Sequence, residues 1–472
     1  MKKNILVIGM LLSAAFPLGA VWQPLDSKVI ETRDNERGCM VFPTMEYSWA
    51  YNAHDNNKNQ QGLDKLLFGQ VITLGNLFLP SKLANEGKLK STAGGAADNY
   101  YQDAYLGTLA NTELNIDAEQ QQYRFAVNGA WTFNKELEGQ HVLWTCGFHL
   151  PIEYYEHTMN MTLSKIDIGT SARYTGEVTS DSVGGHPEFL QRYADAWDFF
   201  SDEVLLARGL LLDQHQRSFG IGSVKLYSML DWKNFANYKS IDAVQLAFVL
   251  GLPSSTNPDG NTIWQIERGS SNTVQMGAQA HLAFNMGECC NAYFTVSAMG
   301  HAASNVKQRV PKKMTGAIAE RLNEDVEIAF FGHGTTGTKL GSALYLSAAI
   351  DEYDTVIPFF AQSNILTRRH LGAKINATFG VKADAGPFVF DAWYTLYYKQ
   401  KDSAKVHPDA PAGTYNIDLT TERTNETRNT FGWSSTYGLQ EGATLSIGTQ
   451  HVFKAQNSPQ YHTVFITFGS TF

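Results

Sequence analysis

The feature that most constrains this chain is a strict alternation of apolar and polar residues over stretches of about ten residues. In the stretch 122–134, Tyr123, Phe125 and Val127 fall on one parity, whereas Arg124 and Asn128 fall on the other. The same pattern recurs in 141–153, 273–286, 371–381 and 387–399. A period of two indicates β-strands, and about ten residues is the length that a tilted strand needs to cross a bilayer.

Soluble β-sandwiches also alternate, so two further features are needed to distinguish the classes. Charged and amide side chains stand in the middle of the polar parity, which suits a wet lumen better than a protein core. The connections alternate between short turns such as 383–386 and long polar segments such as 400–427, as in membrane barrels. We therefore predict an all-β fold, a transmembrane antiparallel up-and-down β-barrel.

The number of strands follows less directly from the pattern. Counting alternating stretches predicts about 14 strands, with the extra strand near 108–118 or, as an alternative, at 157–169. The count includes strands at 339–351 and 356–364. If 356–364 and a neighbouring stretch do not span the membrane, 12 strands remain.

Composition agrees with a barrel in lipid. Charged residues make up 18% of the chain and aromatic residues 12%, whereas typical soluble domains are about 25% charged. No internal stretch has the 18 or more consecutive apolar residues of a membrane helix. The net charge of −9 and the absence of a basic run argue against nucleic-acid binding.

The first residues predict export. Lys2 and Lys3 precede an apolar stretch and small residues that end at Ala20, which is the pattern of a cleaved signal peptide. We divide the chain into a signal peptide (1–20), an N-terminal periplasmic or plug segment (21–106) and an outer-membrane barrel (107–472). Apolar residues at helical spacing predict one amphipathic helix at 187–207, in an outer loop.

The C-terminal stretch "YHTVFITFGSTF" alternates up to its last residue, with Ser470 as a polar exception on one parity and Phe465 as an apolar exception on the other. The apolar parity holds Val464, Ile466, Phe468 and Phe472. This pattern resembles the C-terminal assembly signal of Gram-negative outer-membrane barrels. The resemblance implies that the barrel-assembly machinery and the lipid bilayer of the outer membrane are partners.

A narrower resemblance lies in the hairpin that begins "FGIGSVKLY" and continues to "LGLPSS". It is similar to a hairpin of the FadL-like and phenol-degradation (meta-pathway) outer-membrane barrels. The matching residues are Gly220, Gly222, Leu252 and Pro253, with Ser223 in place of Asp and Ser254-Ser255 in place of Thr-Gly. The resemblance implies a barrel of twelve to fourteen strands that takes up hydrophobic small molecules.

Polar residues on the lumen parity are the candidate functional residues, since charges and amides inside a pore set its selectivity. These lumen-lining candidates are Arg124, Lys225, Asp231, Gln275, Gln279, His281, Lys374, Asp391, Trp393 and Lys399. No motif predicts a cofactor or a metal site. The four cysteines, Cys39, Cys146, Cys289 and Cys290, lack metal-ligand spacing, and their redox state stays open.

The leading hypothesis is a channel for the passive uptake of small molecules, with hydrophobic ones favoured. The first alternative is a general hydrophilic porin. Two alternatives belong to other functional classes. One is a hydrolase that uses Ser297 and His301, which lie four residues apart on the same face of one strand. The other is an adhesive or structural barrel.

Overall fold

A computed structural model describes residues 38–55, 57–63, 72–73, 113–137, 140–163, 206, 209–211, 214–233, 240–254, 260–261, 273–287, 289–313, 363–411, 413–422, 424–439 and 443–471. The predicted signal peptide and most of the segment 64–112 lie outside these residues. The predicted helix at 187–207 also lies outside them, apart from Leu206. Within the described residues, regular structure is almost entirely β-strand, with one 3₁₀ helix at Ile417–Thr421.

Twelve of the described strands form the wall of a closed barrel, and we number all strands along the chain. The wall strands are β1 (Gly38–Ala50), β5 (Glu113–Leu137), β6 (Gln140–Leu163), β8 (Lys225–Lys233), β9 (Ile241–Gly251), β10 (Gln275–Asn285), β11 (Cys290–His301), β14 (Lys374–Ala385), β15 (Phe388–Lys399), β17 (Glu426–Gly438), β18 (Thr444–Gln456) and β20 (His462–Thr471). Each pairs antiparallel with the next, and β1 pairs with β20 to close the ring. The predicted fold class is confirmed.

The remaining strands extend the wall at its ends. They are β2 (Asn52–His54), β3 (Gln60–Gly62), β4 (Ile72–Thr73), β7 (His215–Ile221), β12 (Ser304–Arg309), β13 (Asn364–His370), β16 (Ser403–Val406) and β19 (Ser458–Pro459). β12, β13 and β16 form one three-stranded sheet, and β19, β2 and β3 form another. β7 continues the line of β8, since both pair with β6.

The hairpin connections confirm the predicted asymmetry. The turns β5–β6, β8–β9, β10–β11, β14–β15 and β17–β18 are two to seven residues long and lie at the end of the barrel where β20 finishes. In the β14–β15 turn, Gly386 has a φ of 68°, a conformation that favours glycine. The described parts of the other connections lie at the opposite end, which we call the outer end; they include the two small sheets and the five-residue connection 457–461 between β18 and β20.

The count of fourteen strands is not confirmed, and the alternative of twelve matches. The predicted strand at 108–118 is not separate, because β5 already begins at Glu113 and runs through it. The predicted strands at 339–351 and 356–364 lie outside the described residues, apart from Ser363 and Asn364. In the wall, β11 pairs directly with β14 from Cys290 to Met299. A barrel of twelve strands has one hairpin fewer than the predicted barrel of fourteen. Because a hairpin contains one strand in each direction, the directions predicted for the other strands are unchanged.

The predicted start of the barrel at residue 107 is wrong. Gly38–Ala50, which we had assigned to the N-terminal segment, is the first wall strand and pairs with β5 over thirteen residues. The alternation in this strand is hidden because Met40 and Phe42 are apolar and buried on the inward parity, while Met45 is apolar and exposed on the outward one.

The polarity of the wall is the reverse of that of a soluble protein. On β5, Tyr123, Phe125 and Trp131 are exposed, whereas Gln122 and Asn128 on the other parity are buried. The same holds around the ring. The exposed apolar residues of the other wall strands include Met45, Leu246, Phe248, Met276, Phe294, Ile375, Phe379, Leu396, Ile447, Val464, Ile466 and Phe468. A continuous apolar belt of this kind matches the hydrocarbon region of a bilayer, so lipid surrounds this barrel.

Candidate functional site: the barrel interior

The ten lumen-lining candidates all lie on the parity opposite the apolar belt. Eight of them are buried: Lys225, Asp231, Gln275, Gln279, His281, Asp391, Trp393 and Lys399. Arg124 and Lys374 are partly buried. Lys225 and Asp231 are only 2% and 1% exposed, so protein atoms closely surround both side chains.

One group of interior charges lies where β1, β5 and β6 meet. The Arg124 guanidinium donates to Glu46 Oε2 at 2.9 Å and to Glu153 Oε1 at 3.2 Å. Lys225 of β8 is close enough to Arg124 and Glu153 to interact with both electrostatically. Charges removed from water need partners of opposite sign. In this group, which we call the β5 ion cluster, Glu46 and Glu153 are the anions and Arg124 and Lys225 are the cations.

A second group lies at the outer end of β15 and β17. Lys399 Nζ lies 3.0 Å from Asp402 Oδ1, and Arg369 donates to Asp402 Oδ2 at 2.9 Å. Arg428 pairs with Glu426 at 2.6 Å. Burial by itself would raise the pKa of Asp402, but Lys399, Arg369 and the Gly372 N–H outweigh it and hold this pKa below its usual value.

Aromatic residues fill the interior between these charges. Tyr293 of β11 donates to Asp391 of β15 at 3.0 Å, reaching past β14. Trp393 lies over Gly432, where an added Cβ would overlap the indole ring. Its ring centroid is 6.3 Å from that of Phe465 on β20. The Tyr293–Asp391 and Trp393–Phe465 contacts join strands that are not neighbours in the wall, so these side chains extend over the strands between them.

An apolar cluster also lies inside the barrel, and the sequence analysis missed it. Its buried members come from β1, β5, β8, β9 and β11: Met40, Phe42, Ala130, Tyr227, Met229, Ala247, Val249 and Met299. The sequence signal for this cluster is the presence of apolar residues at strand positions where the alternation otherwise places polar residues. The lumen-lining candidates predicted from the sequence are charged and amide residues, His281 and Trp393, and include no aliphatic residue.

The glycine-containing hairpin that carried the family resemblance forms a break in the wall. Strand pairing stops between β7 and β8 at Gly222, Ser223 and Val224. Ser254 bridges the break, because its hydroxyl accepts from Val224 N at 3.0 Å and donates to the Gly222 carbonyl. Gly222 is also packed against the Glu153 carboxylate, where a Cβ would overlap it. The structure therefore brings most of the motif residues together at one point.

Ser297 and His301 do not form a catalytic pair. Both are buried on β11, but four residues of strand separate them by about 13 Å. Ser297 Oγ accepts from Asn376 at 3.4 Å, and His301 Nδ1 contacts Thr273 Oγ1 at 3.2 Å. A nucleophile and its base need to lie within hydrogen-bonding distance of each other.

The described residues contain no group of three or more His, Cys, Asp or Glu side chains arranged to hold a metal ion. All four cysteines are free thiols, so no disulfide joins them. In the part of the chain that the structure describes, no helix is both long and apolar enough to cross a membrane.

The C-terminal residues lie on the lipid side as far as the structure describes them. Val464, Ile466 and Phe468 are exposed on the outward parity of β20. Phe465, the apolar exception on the other parity, points to the interior, where it meets Trp393. Phe472 lies outside the described residues.

No protein-family model matches the sequence, and no curated protein matches it significantly. Among solved structures, an outer membrane channel from Pseudomonas putida F1 is similar, at 10% identity and a TM-score of 0.45, over 93% of this chain and 97% of that chain. The β domain of the Bordetella autotransporter BrkA has 8% identity and a TM-score of 0.34, over 93% and 100%. The Pseudomonas putida toluene transporter TodX has 6% identity and a TM-score of 0.29, over 96% and 95%.

Proposed function

We propose that this chain is an outer-membrane channel that admits small hydrophobic molecules by passive diffusion. The observation that carries the proposal is the filled interior, in which an apolar cluster around Met229 and Val249 lies among paired charges. A hydrophobic solute gains free energy by leaving water for such a cluster, at about 25 cal/mol per Å² of apolar surface buried. Small displacements of side chains would then pass it along the barrel.

A general hydrophilic porin fits the interior less well. Such a pore needs polar side chains that are in contact with a continuous column of water. Here the interior amides Gln275 and Gln279 are 3% and 6% exposed, and Gln275 donates to Ser223. The hydrolase alternative loses its support because Ser297 and His301 are apart, and no observation favours an adhesive role.

Two further parts of the proposal concern the ends of the chain. We infer that residues 1–20 direct export and are cleaved, and that Val464, Ile466, Phe468 and Phe472 are bound by the barrel-assembly machinery. Residues 21–37, 64–71 and 74–106 of the predicted plug segment remain candidates for a plug, since Gly38–Ala50 belongs to the wall.

The test compares uptake of a hydrophobic and a hydrophilic probe by liposomes that contain the full mature protein. We expect uptake of a fluorescent naphthylamine, little swelling in arabinose and a small conductance in planar bilayers. Met229→Gln should reduce naphthylamine uptake about tenfold, because it places an amide in the apolar cluster. Met229→Leu, which conserves volume and polarity, should retain uptake.

Migration of unheated protein on a gel shows whether each variant still forms a barrel. A large, steady conductance with rapid swelling in arabinose would overturn the proposal in favour of a hydrophilic porin. Equal uptake by Met229→Gln and Met229→Leu would show that the apolar cluster does not lie on the transport pathway.

A further inference from the structure

The three-stranded sheet β12–β13–β16 carries an unbalanced positive charge on its exposed face. In its register, Arg368 of β13 lies directly between Asn305 of β12 and Lys405 of β16. Lys307 lies opposite the exposed Leu366 on the same face. His370 and Ser403 complete the exposed face, so every charged or titratable residue on it is basic.

The opposite face of this sheet is tied to the barrel. Thr367 is fully buried and donates to the Val306 carbonyl. Arg369 reaches Asp402, which also pairs with Lys399 of the interior. Because that face adjoins the interior, the face with Arg368 and Lys405 points away from it.

Among the described residues, no acidic side chain offsets the repulsion between these cations. Lys307, Arg368 and Lys405 are exposed, and none makes an ion pair within the described residues. Beyond β16, the carboxylate of Asp409 is engaged with His407 at 3.1 Å. Like charges directly opposite each other on paired strands are destabilising. The Arg368–Lys405 pair therefore costs stability unless an anion lies against it.

The sheet stands directly above the apolar belt. Ile375 of β14 and Tyr398 of β15 are exposed on the lipid side and pair with each other. His370 of β13 and Ser403 of β16 each lie five residues away along the chain, beyond the outer ends of these two wall strands. Five residues reach at most about 18 Å, and less along the membrane normal because wall strands tilt. The headgroup layer of the outer leaflet, about 5–8 Å thick, lies within this reach.

We propose that the exposed face of β12, β13 and β16, which we call the basic rim, binds the phosphate groups of an anionic lipid in the outer leaflet. The Arg368 guanidinium supplies a planar fork suited to phosphate oxygens, and Lys307 and Lys405 supply point charges on either side. Leu366 lies in the same face, where it contacts the acyl end of the headgroup. The inference depends on the barrel's orientation in the membrane and is independent of what the channel transports.

The experiment measures binding of diphosphoryl lipid A to the full protein in micelles of a neutral detergent at low salt, by native mass spectrometry. The test variant is Arg368→Gln/Lys405→Gln. The matched control is Lys58→Gln/Lys454→Gln, which removes two exposed cations beside the other outer sheet. We expect the test variant to bind about thirtyfold more weakly, as loss of two cations near an anionic surface implies, and the control to bind like the unmodified protein.

A second arm replaces lipid A with inorganic pyrophosphate at the same concentration. If pyrophosphate binds as tightly as lipid A, the rim is a site for free phosphate and the lipid proposal is overturned. Equal binding of lipid A by both variants, with unchanged barrel migration on gels, also overturns it. In neutral detergent the test variant should unfold at the same temperature or higher, since the repulsion between Arg368 and Lys405 is gone.

Discussion

At the scale of single residues, the interior is organised by charge pairing. Period-two alternation is enough to place Arg124 inside, because a strand's parity is a local property. Its partners were not predicted. Glu46 belongs to a strand that the pattern hid, and Glu153 becomes a neighbour only when β5 and β6 pair in the observed register.

Arg124→Gln tests the β5 ion cluster. We expect it to lower the free energy of unfolding by about 3 kcal/mol, because the buried Glu153 carboxylate and the partly buried Glu46 carboxylate lose the cation that both of them contact. Arg217→Gln is the matched control. Arg217 pairs with Glu156 on the same strand as Glu153, but its side chain is 63% exposed, so little change is expected. Urea unfolding in detergent measures both, and equal losses would contradict a special role for the cluster.

At the scale of strands, glycine positions are matched to aromatic rings of the neighbouring strand. Gly432 of β17 lies opposite Trp393 of β15, and Gly380 of β14 lies opposite Tyr293 of β11. In both pairs the ring covers the position that a Cβ would occupy. The sequence shows that both glycines interrupt a strand pattern, but it does not show which ring covers them, since that depends on register.

Gly432→Ala tests this packing. The new Cβ overlaps the Trp393 indole, so we expect a loss of about 1–3 kcal/mol in the free energy of unfolding as the ring shifts. Gly300→Ala on β11 is the control, because its nearest neighbour, the Met276 carbonyl oxygen, is 3.8 Å from the added carbon. That change should be neutral or slightly stabilising. Near-ultraviolet circular dichroism should report the movement of Trp393 in the first variant only.

At the scale of the whole molecule, the barrel is closed by contacts between the first and last wall strands. Thr44 and Thr467 lie opposite each other, and their hydroxyls are 3.2 Å apart. Closure leaves no strand edge unpaired within the bilayer, where an unsatisfied backbone group costs several kcal/mol. The strand at Gly38–Ala50 is therefore part of the minimal folding unit, and a truncation that removes it should not form a barrel.

A disulfide across the closure tests the ring directly. In a background with the four native cysteines replaced by alanine, Thr44→Cys/Thr467→Cys should cross-link efficiently, because directly opposite residues have the Cα spacing of a disulfide. Thr44→Cys/Thr463→Cys should not, since Thr463 pairs with Ser48, four residues along β1. Migration on non-reducing gels separates the outcomes, and cross-linking of the second pair alone would show a shifted register.

The sequence by itself determined the fold class, the direction of the predicted strands and the face on which the side chains of the clearly alternating strands lie. These properties follow from the alternation of apolar and polar residues and from the lengths of the connections. Both can be recognised from residues that are close together in the sequence, without knowing the rest of the fold. Only the tertiary structure decided the number of strands, the partner that closes the ring, the pairing of the interior charges and the basic rim. Each of these depends on register between strands distant in sequence, and Thr44 and Thr467, separated by 423 positions, become neighbours only when the sheet closes.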